Sequence, residues 1–187
     1  MLNDTPRTAA QQRIMAATLD LVAEHGVSGT SLQMIADTIG VTKAAVYHQF
    51  RTKDEIVIAV TADELGRLED ALLIAEAEPS RAAARKVLLT DVIEMTVARR
   101  RWVATLQFDP VIIRLLGEHE PFRLFMTRLY AVLLDEDDDL EARVSAAVLS
   151  AAIAGAVANP LIADVDDDTL RAALLNITQR ILDLPSP

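Results

Sequence analysis

Apolar side chains recur along this chain at three- and four-residue spacing, and no stretch alternates convincingly in the manner of a strand. The pattern predicts an all-α protein. A first helix spans about Thr8 to His25, with Thr8 and Gln11 as a capping-box pair and Ile14, Ala17, Leu21 and Val22 as the buried stripe. Gly26 stops it. A second helix starts at Thr30, whose capping partner is Gln33, and Leu32, Ile35, Ala36 and Ile39 give it one apolar face. Gly40-Val41 ends that helix, and Thr42 caps a third, which closes near Phe50. Helix, tight turn with glycine, helix is the layout of a helix-turn-helix.

Beyond it the helical period continues. A fourth helix begins at Thr52, with Glu55 as capping partner, and runs to about Glu78. Pro79-Ser80 ends it and caps a fifth, expected over Arg81 to Leu106. Asp109-Pro110 and Glu120-Pro121 mark two further starts, because proline suits the first helical turn. Phe122, Phe125, Met126, Leu129 and Leu133 share a face of the helix after Pro121. The acidic run 135–139 reads as a solvated connection to a helix over about 140–159. Asp166, Asp167 and Asp168 then favour the N-terminus of a last helix, with Leu170, Leu174, Ile177 and Ile181 as its stripe. The organisation expected is a three-helix head over residues 1–53 and an antiparallel helical-bundle body over 54–187.

Residues 144–163 carry no charge over a length that could span a bilayer, but Ala, Ser and Gly dominate them and Asn159-Pro160 interrupts their end. A helix buried on most sides by other helices is the better reading. No basic segment followed by an apolar one opens the chain, so no signal peptide is expected. The absence of cysteine excludes disulfides, zinc-thiolate sites and thiol catalysis. It also suits a reducing cytoplasm.

The net charge of −10 argues against nucleic acid. Its distribution softens that: residues 1–53 hold five basic and four acidic side chains, a net +1, and the remainder 13 basic and 24 acidic, a net −11. The faces of the third helix say more. Val46 and Phe50, with Ala45 beside them, are expected to pack inward, which turns Lys43, Ala44, Tyr47 and His48 outward together. A cation, a small residue, a phenol and an imidazole suit a DNA groove: Lys43 for guanine or phosphate, Ala44 for a thymine methyl, Tyr47 and His48 for phosphate oxygens. A solvated helix face is the alternative for this helix taken alone. Lys53 adds support, since the helix dipole disfavours a cation in the first turn unless an anion docks there.

The run Thr30-Ser31-Leu32-Gln33-Met34-Ile35-Ala36, then Gly40 through Phe50, then Thr52-Lys53-Asp54-Glu55-Ile56 closely resembles the TetR family of transcriptional regulators, over about residues 8–60. The resemblance implies that Tyr47 and Lys53 hold DNA phosphates, and that Thr42, Lys43, Ala44 and His48 belong to the groove-facing surface. Thr30, Ser31 and Gln33 match further backbone or base contacts. It implies a homodimer whose recognition helices enter successive major grooves of a palindromic operator, about 34 Å apart. It also implies a small-molecule effector that releases the DNA. Alanines at 44 and 45 depart from the glycine or polar residue often found in the family, which leaves direct base readout resting heavily on Lys43 and its neighbours, with shape readout contributing the rest.

The body carries two further expectations. Ala147, Ala151 and Gly155 recur every four residues with Ala154 and Ala158 alongside, and small side chains let helices approach closely. With Leu174, Ile177 and Ile181 of the last helix they form the dimer seam that the resemblance implies; an ordinary core helix is the alternative. Met95, Arg99 and Trp102 fall on one face of the fifth helix, where Phe108, Ile112, Phe122, Phe125, Met126 and Tyr130 could close an effector pocket around them or simply build core. Arg99 on an apolar face wants an anion, with Asp91 and Glu94 as internal candidates, whereas Arg100 and Arg101 are expected to face solvent. Glu118-His119-Glu120 point in different directions on a helix and have no second histidine nearby, so neither a metal nor a cofactor is expected. The competing functions are a protein–protein adaptor that has lost DNA binding and a helical-bundle enzyme. For the latter the chain offers no nucleophile–base pairing and no phosphate loop.

Overall fold

The computed structural model describes residues 6–134 and 140–182. Among these the regular structure is helical throughout: α1 (Ala9–Gly29), α2 (Leu32–Ile39), α3 (Lys43–Gln49), α4 (Lys53–Glu76), α5 (Arg81–Ala98), α6 (Arg100–Phe108), α7 (Pro110–Glu118), α8 (Glu120–Leu133), α9 (Leu140–Val157), a 3-10 turn (Pro160–Ile162) and α10 (Asp167–Leu182). The acidic run 135–139 lies outside the described residues.

Capping chemistry explains most boundaries. Thr8 and Gln11 form the reciprocal capping box at the start of α1. Gly26 does not end that helix but kinks it, at φ 69° and ψ 170°, and one more turn follows. Gly40 closes α2 in the left-handed conformation, which costs glycine little. Asp109 caps α7, Ser80 caps α5, and Asp166 Oδ1 accepts the N–H groups of Asp168 and Thr169 at the start of α10. These contacts hold the Asp166 carboxyl below its ordinary pKa, the Thr169 backbone N–H first among them.

Two compact units divide the chain. The first takes Met1–Glu69 with Thr105–Phe125, and the second takes Asp70–Ala104 with Met126–Pro187. The boundary expected at residue 53 falls inside the first unit, because α7 packs on α1 and the first half of α4 is buried there through Ile56, Val57 and Val60. The core of the three-helix head is Ile14, Val22, Ile35, Ala36 and Val46. Burial of such side chains contributes about 1.5–3 kcal/mol each.

In the second unit α5 is the central helix, with Leu88, Leu89, Ile93 and Val97 buried, and both α9 and α10 pack on it. Each of those two helices buries one side only. α9 turns Leu149, Ile153, Ala154 and Val157 inward and leaves Val144, Val148, Ala147 and Ala151 exposed, so it is not the helix buried on most sides that its composition predicts. Of its expected stripe α10 buries Leu170 and Leu174 and exposes Ile177 and Ile181; Thr178 is buried instead, its hydroxyl satisfied inside the helix by donating to Leu174 O at 2.6 Å. No helix among the described residues is long and apolar enough to cross a membrane.

The single helix expected over Arg81 to Leu106 is broken at Arg99, where φ is −124° and ψ 34°. Arg100, expected in solvent, is half-buried: it pairs with Asp167 and donates to Val165 O at 3.2 Å. That attachment to the start of α10 gives the residue after the break a partner that a continuous helix pattern could not disclose.

Candidate nucleic-acid interface

The outward face of α3 is set by what α3 buries. Val46 is fully buried and Phe50 is 5% exposed, so the helix is anchored along that line. Lys43, Ala44, Tyr47 and His48 are all exposed together, and Thr42 caps the helix by accepting from Ala45 N at 3.2 Å. Ala45 is exposed as well, not packed inward as its neighbours suggested: one anchoring line suffices for a seven-residue helix. The surface is therefore wider than expected. Arg51, which sequence reasoning passed over, lies with its guanidinium carbon 5.3 Å from the centroid of the Tyr47 ring. Its position just past the end of α3, four residues after Tyr47, was the available signal.

At the start of α2 the expected residues separate. Ser31, not Thr30, is the cap, accepting from Met34 N at 3.2 Å. Thr30 is 2% exposed, and its hydroxyl donates to Gly26 O at 2.9 Å. Its side chain is thus held inside the head, not on the outward face expected of it with Ser31 and Gln33. Gln33 is exposed and donates to Asp37 Oδ1 at 2.7 Å. Another cation, Arg13, donates to Ile39 O at 3.0 Å, the carbonyl end of α2.

Lys53 has a reason for its position that the helix-dipole argument did not foresee. Its ammonium donates to Val27 O at 2.5 Å and Thr30 O at 2.9 Å, the carbonyls where α1 ends. A cation is favourable at the C-terminal end of a helix, so what the start of α4 costs, the end of α1 offsets. The start of α4 keeps its own acids, Asp54 and Glu55, and Glu55 also accepts from Arg51 N at 2.8 Å. An anion is therefore not needed to account for Lys53.

Residues 14–60 match the family described as bacterial regulatory proteins, tetR family. The head belongs to the tetR family. The chain is 41% identical across 68 residues to the HTH-type transcriptional regulator SrpR of Pseudomonas putida, covering 34% of this chain and 32% of that protein. It is 31% identical across 67 residues to the HTH-type transcriptional repressor KstR2 of Mycolicibacterium smegmatis, covering 35% and 33%. The HTH-type transcriptional repressor AcnR of Corynebacterium diphtheriae is 23% identical across 70 residues, 37% of each chain. The chain thus spans about a third of the length of the curated relatives it matches. The fold likeness extends further: the fatty acid degradation regulator FadR of Bacillus halodurans superposes with a TM-score of 0.70 at 18% identity, covering 96% of this chain and 97% of that one. A TetR-like transcriptional regulator from Rhodococcus gives 0.69 at 22% identity, covering 95% and 98%.

The residues expected to line an effector pocket divide between the two units. Phe108, Ile112, Phe122 and Phe125 belong to the first; Met95, Arg99, Trp102, Met126 and Tyr130 belong to the second. Ile112 and Phe125 are core, and the Phe125 ring lies 6.5 Å from that of Phe122, whereas Phe108 is 56% exposed. The break in the backbone at Arg99 removes the shared face of Met95, Arg99 and Trp102: Arg99 is exposed, Met95 half-buried and Trp102 3% exposed. Burial, and then the Glu94 charge, raise the Asp91 carboxyl above its ordinary pKa, the opposite of what a guanidinium beside it would do. Tyr130 is raised by burial, opposed by a hydrogen bond with Ser150. The Trp102 Nε1–H is buried with no partner among the described residues.

Of the residues expected at a dimer seam, Ala147, Ala151, Ala158, Ile177 and Ile181 are exposed, and Gly155 is half-buried. Ala154 and Leu174 are spent inside the protomer, at 3% and 6% exposure.

Proposed function

We propose that this protein is a ligand-responsive transcriptional regulator of the cytoplasm, acting as a repressor that binds a palindromic operator as a homodimer. The observation that carries the reading is the anchored third helix, with Val46 and Phe50 inside and Lys43, Ala44, Tyr47 and His48 outside. Ser31, Gln33, Thr42 and Arg51 extend that face, and Lys53 reaches a phosphate with the donor left over from its two carbonyls. The naming of the relatives as transcriptional repressors and regulators supports the same reading. Footprinting of the gene's own upstream region is the test: protection of a palindrome at low salt is expected, and no protection overturns the proposal.

Dimerisation draws on the exposed faces of α9 and α10, where Val144, Val148, Ile177 and Ile181 are apolar side chains about half or more exposed. Effector response draws on Trp102, whose buried indole N–H, without a partner among the described residues, suits an acceptor oxygen on a mostly apolar molecule. The effector shifts DNA affinity only by its differential affinity for the bound and released states, on the order of a few kcal/mol.

A further inference from the structure

The peptide groups flanking Val27 are held by opposite charges. Its N–H donates to Asp109 Oδ2 at 2.9 Å, and its C=O accepts from the Lys53 ammonium at 2.5 Å. The same Asp109 carboxylate uses Oδ1 to accept from Val111 N at 2.8 Å and Ile112 N at 3.3 Å, the first turn of α7. One side chain therefore terminates two helical segments, α7 and the last turn of α1. Gly26 makes this possible twice over. Its φ of +69° redirects the backbone so that Val27 N–H points at the carboxylate, and a Cβ there would stand 3.3 Å from Asp109 Oδ2.

What hangs from Val27 is the DNA-facing part of the head. Thr30 N donates to Val27 O at 3.3 Å, its carbonyl takes the second Lys53 bond, Ser31 caps and Leu32 begins α2. Only four residues, 28–31, separate Val27 from α2, and α2 packs on α3. We propose that Asp109 is a positioning residue for operator binding: it latches the end of α1 to the start of α7, so that the orientation of α2 and α3 depends on where α7 begins. The inference rests on the DNA-binding reading above. Losing the latch leaves α3 chemically intact but lowers the fraction of molecules with the head in its binding orientation, and apparent affinity falls by that fraction.

The test separates the two jobs of the carboxylate. Asn and Ser both cap helices about as well as Asp, so Asp109→Asn and Asp109→Ser keep the start of α7. Asn, however, turns an NH2 toward the Val27 N–H when its oxygen caps α7, and Ser is too short to reach Val27. Both full-length variants are expected to bind the wild-type-protected upstream duplex about tenfold more weakly, the size of one lost charge-assisted hydrogen bond, with the salt slope unchanged. Hydrogen exchange at the Val27 amide is expected to quicken in both while α7 amides stay protected. Undiminished affinity in both variants, or a Val27 amide as protected as in the wild type, overturns the proposal. A wild-type protein that protects no DNA overturns the operator reading instead, and the exchange at Val27 still decides whether the latch exists.

Discussion

The Lys53 ammonium reaches back 26 residues to the Val27 carbonyl, at 2.5 Å, and so closes the end of α1 from the first turn of α4. Removing it should cost stability before any DNA is present. Lys53→Ala is expected to lower unfolding free energy by about 1.5–3 kcal/mol, the range for a hydrogen bond to a charged group. Urea unfolding of the free protein checks this. An unchanged midpoint would mean that the two carbonyls gain nothing from the ammonium.

Arg51 over the Tyr47 ring places a second cation beside α3. Arg51→Ala should weaken operator binding and reduce the salt slope by about one, as for a single lost phosphate contact. Tyr47→Phe should weaken binding through loss of the hydroxyl donor while keeping the ring on which Arg51 lies. Affinities for the protected upstream duplex between 50 and 200 mM salt, about the range over which such slopes are resolved, distinguish the two.

The free faces of α9 and α10 carry the dimer proposal. Val148→Asp with Ile177→Asp places charges where the chain itself buries nothing, at 63% and 51% exposure. The helical content of the protomer should therefore persist while the mass falls to that of a monomer in sedimentation. A variant that stays dimeric would move the interface elsewhere.

Tyr130 provides a pH dependence whose sign is set by burial. Its folded pKa is raised above the ordinary 10.0. The unfolded chain therefore ionises first, and the stabilisation present below pH 10.0 is lost as pH rises through the folded value. Unfolding midpoints measured on either side of pH 10 should fall more steeply in the wild type than in Tyr130→Phe. Equal slopes would show that the phenol is not shielded from water.

The residues of the head were legible where local rules govern them. Thr8 with Gln11, Gly40, Thr42 and the inward Val46 each depend on neighbours within a turn or two, and the structure has them as the spacing predicts. Thr30 and Ser31 both have a cap's chemistry, and only the packing of the α1 end decides that the Thr30 hydroxyl turns inward to Gly26 O and Ser31 caps α2. The body was less legible for the same reason: the break at Arg99 and the pairing of Arg100 with Asp167 depend on a partner 67 residues away.

The sequence by itself determined that the protein is helical, where the caps at Thr8, Gly40 and Thr42 fall, and which line of α3 is buried, because those follow from short-range periodicity and backbone hydrogen bonding. Only the tertiary structure decided why Lys53 stands where it does and that Asp109 joins α7 to α1. Those two bonds span 26 and 82 residues, and a carboxylate or ammonium with several possible partners chooses among them only once the chain has brought one within reach.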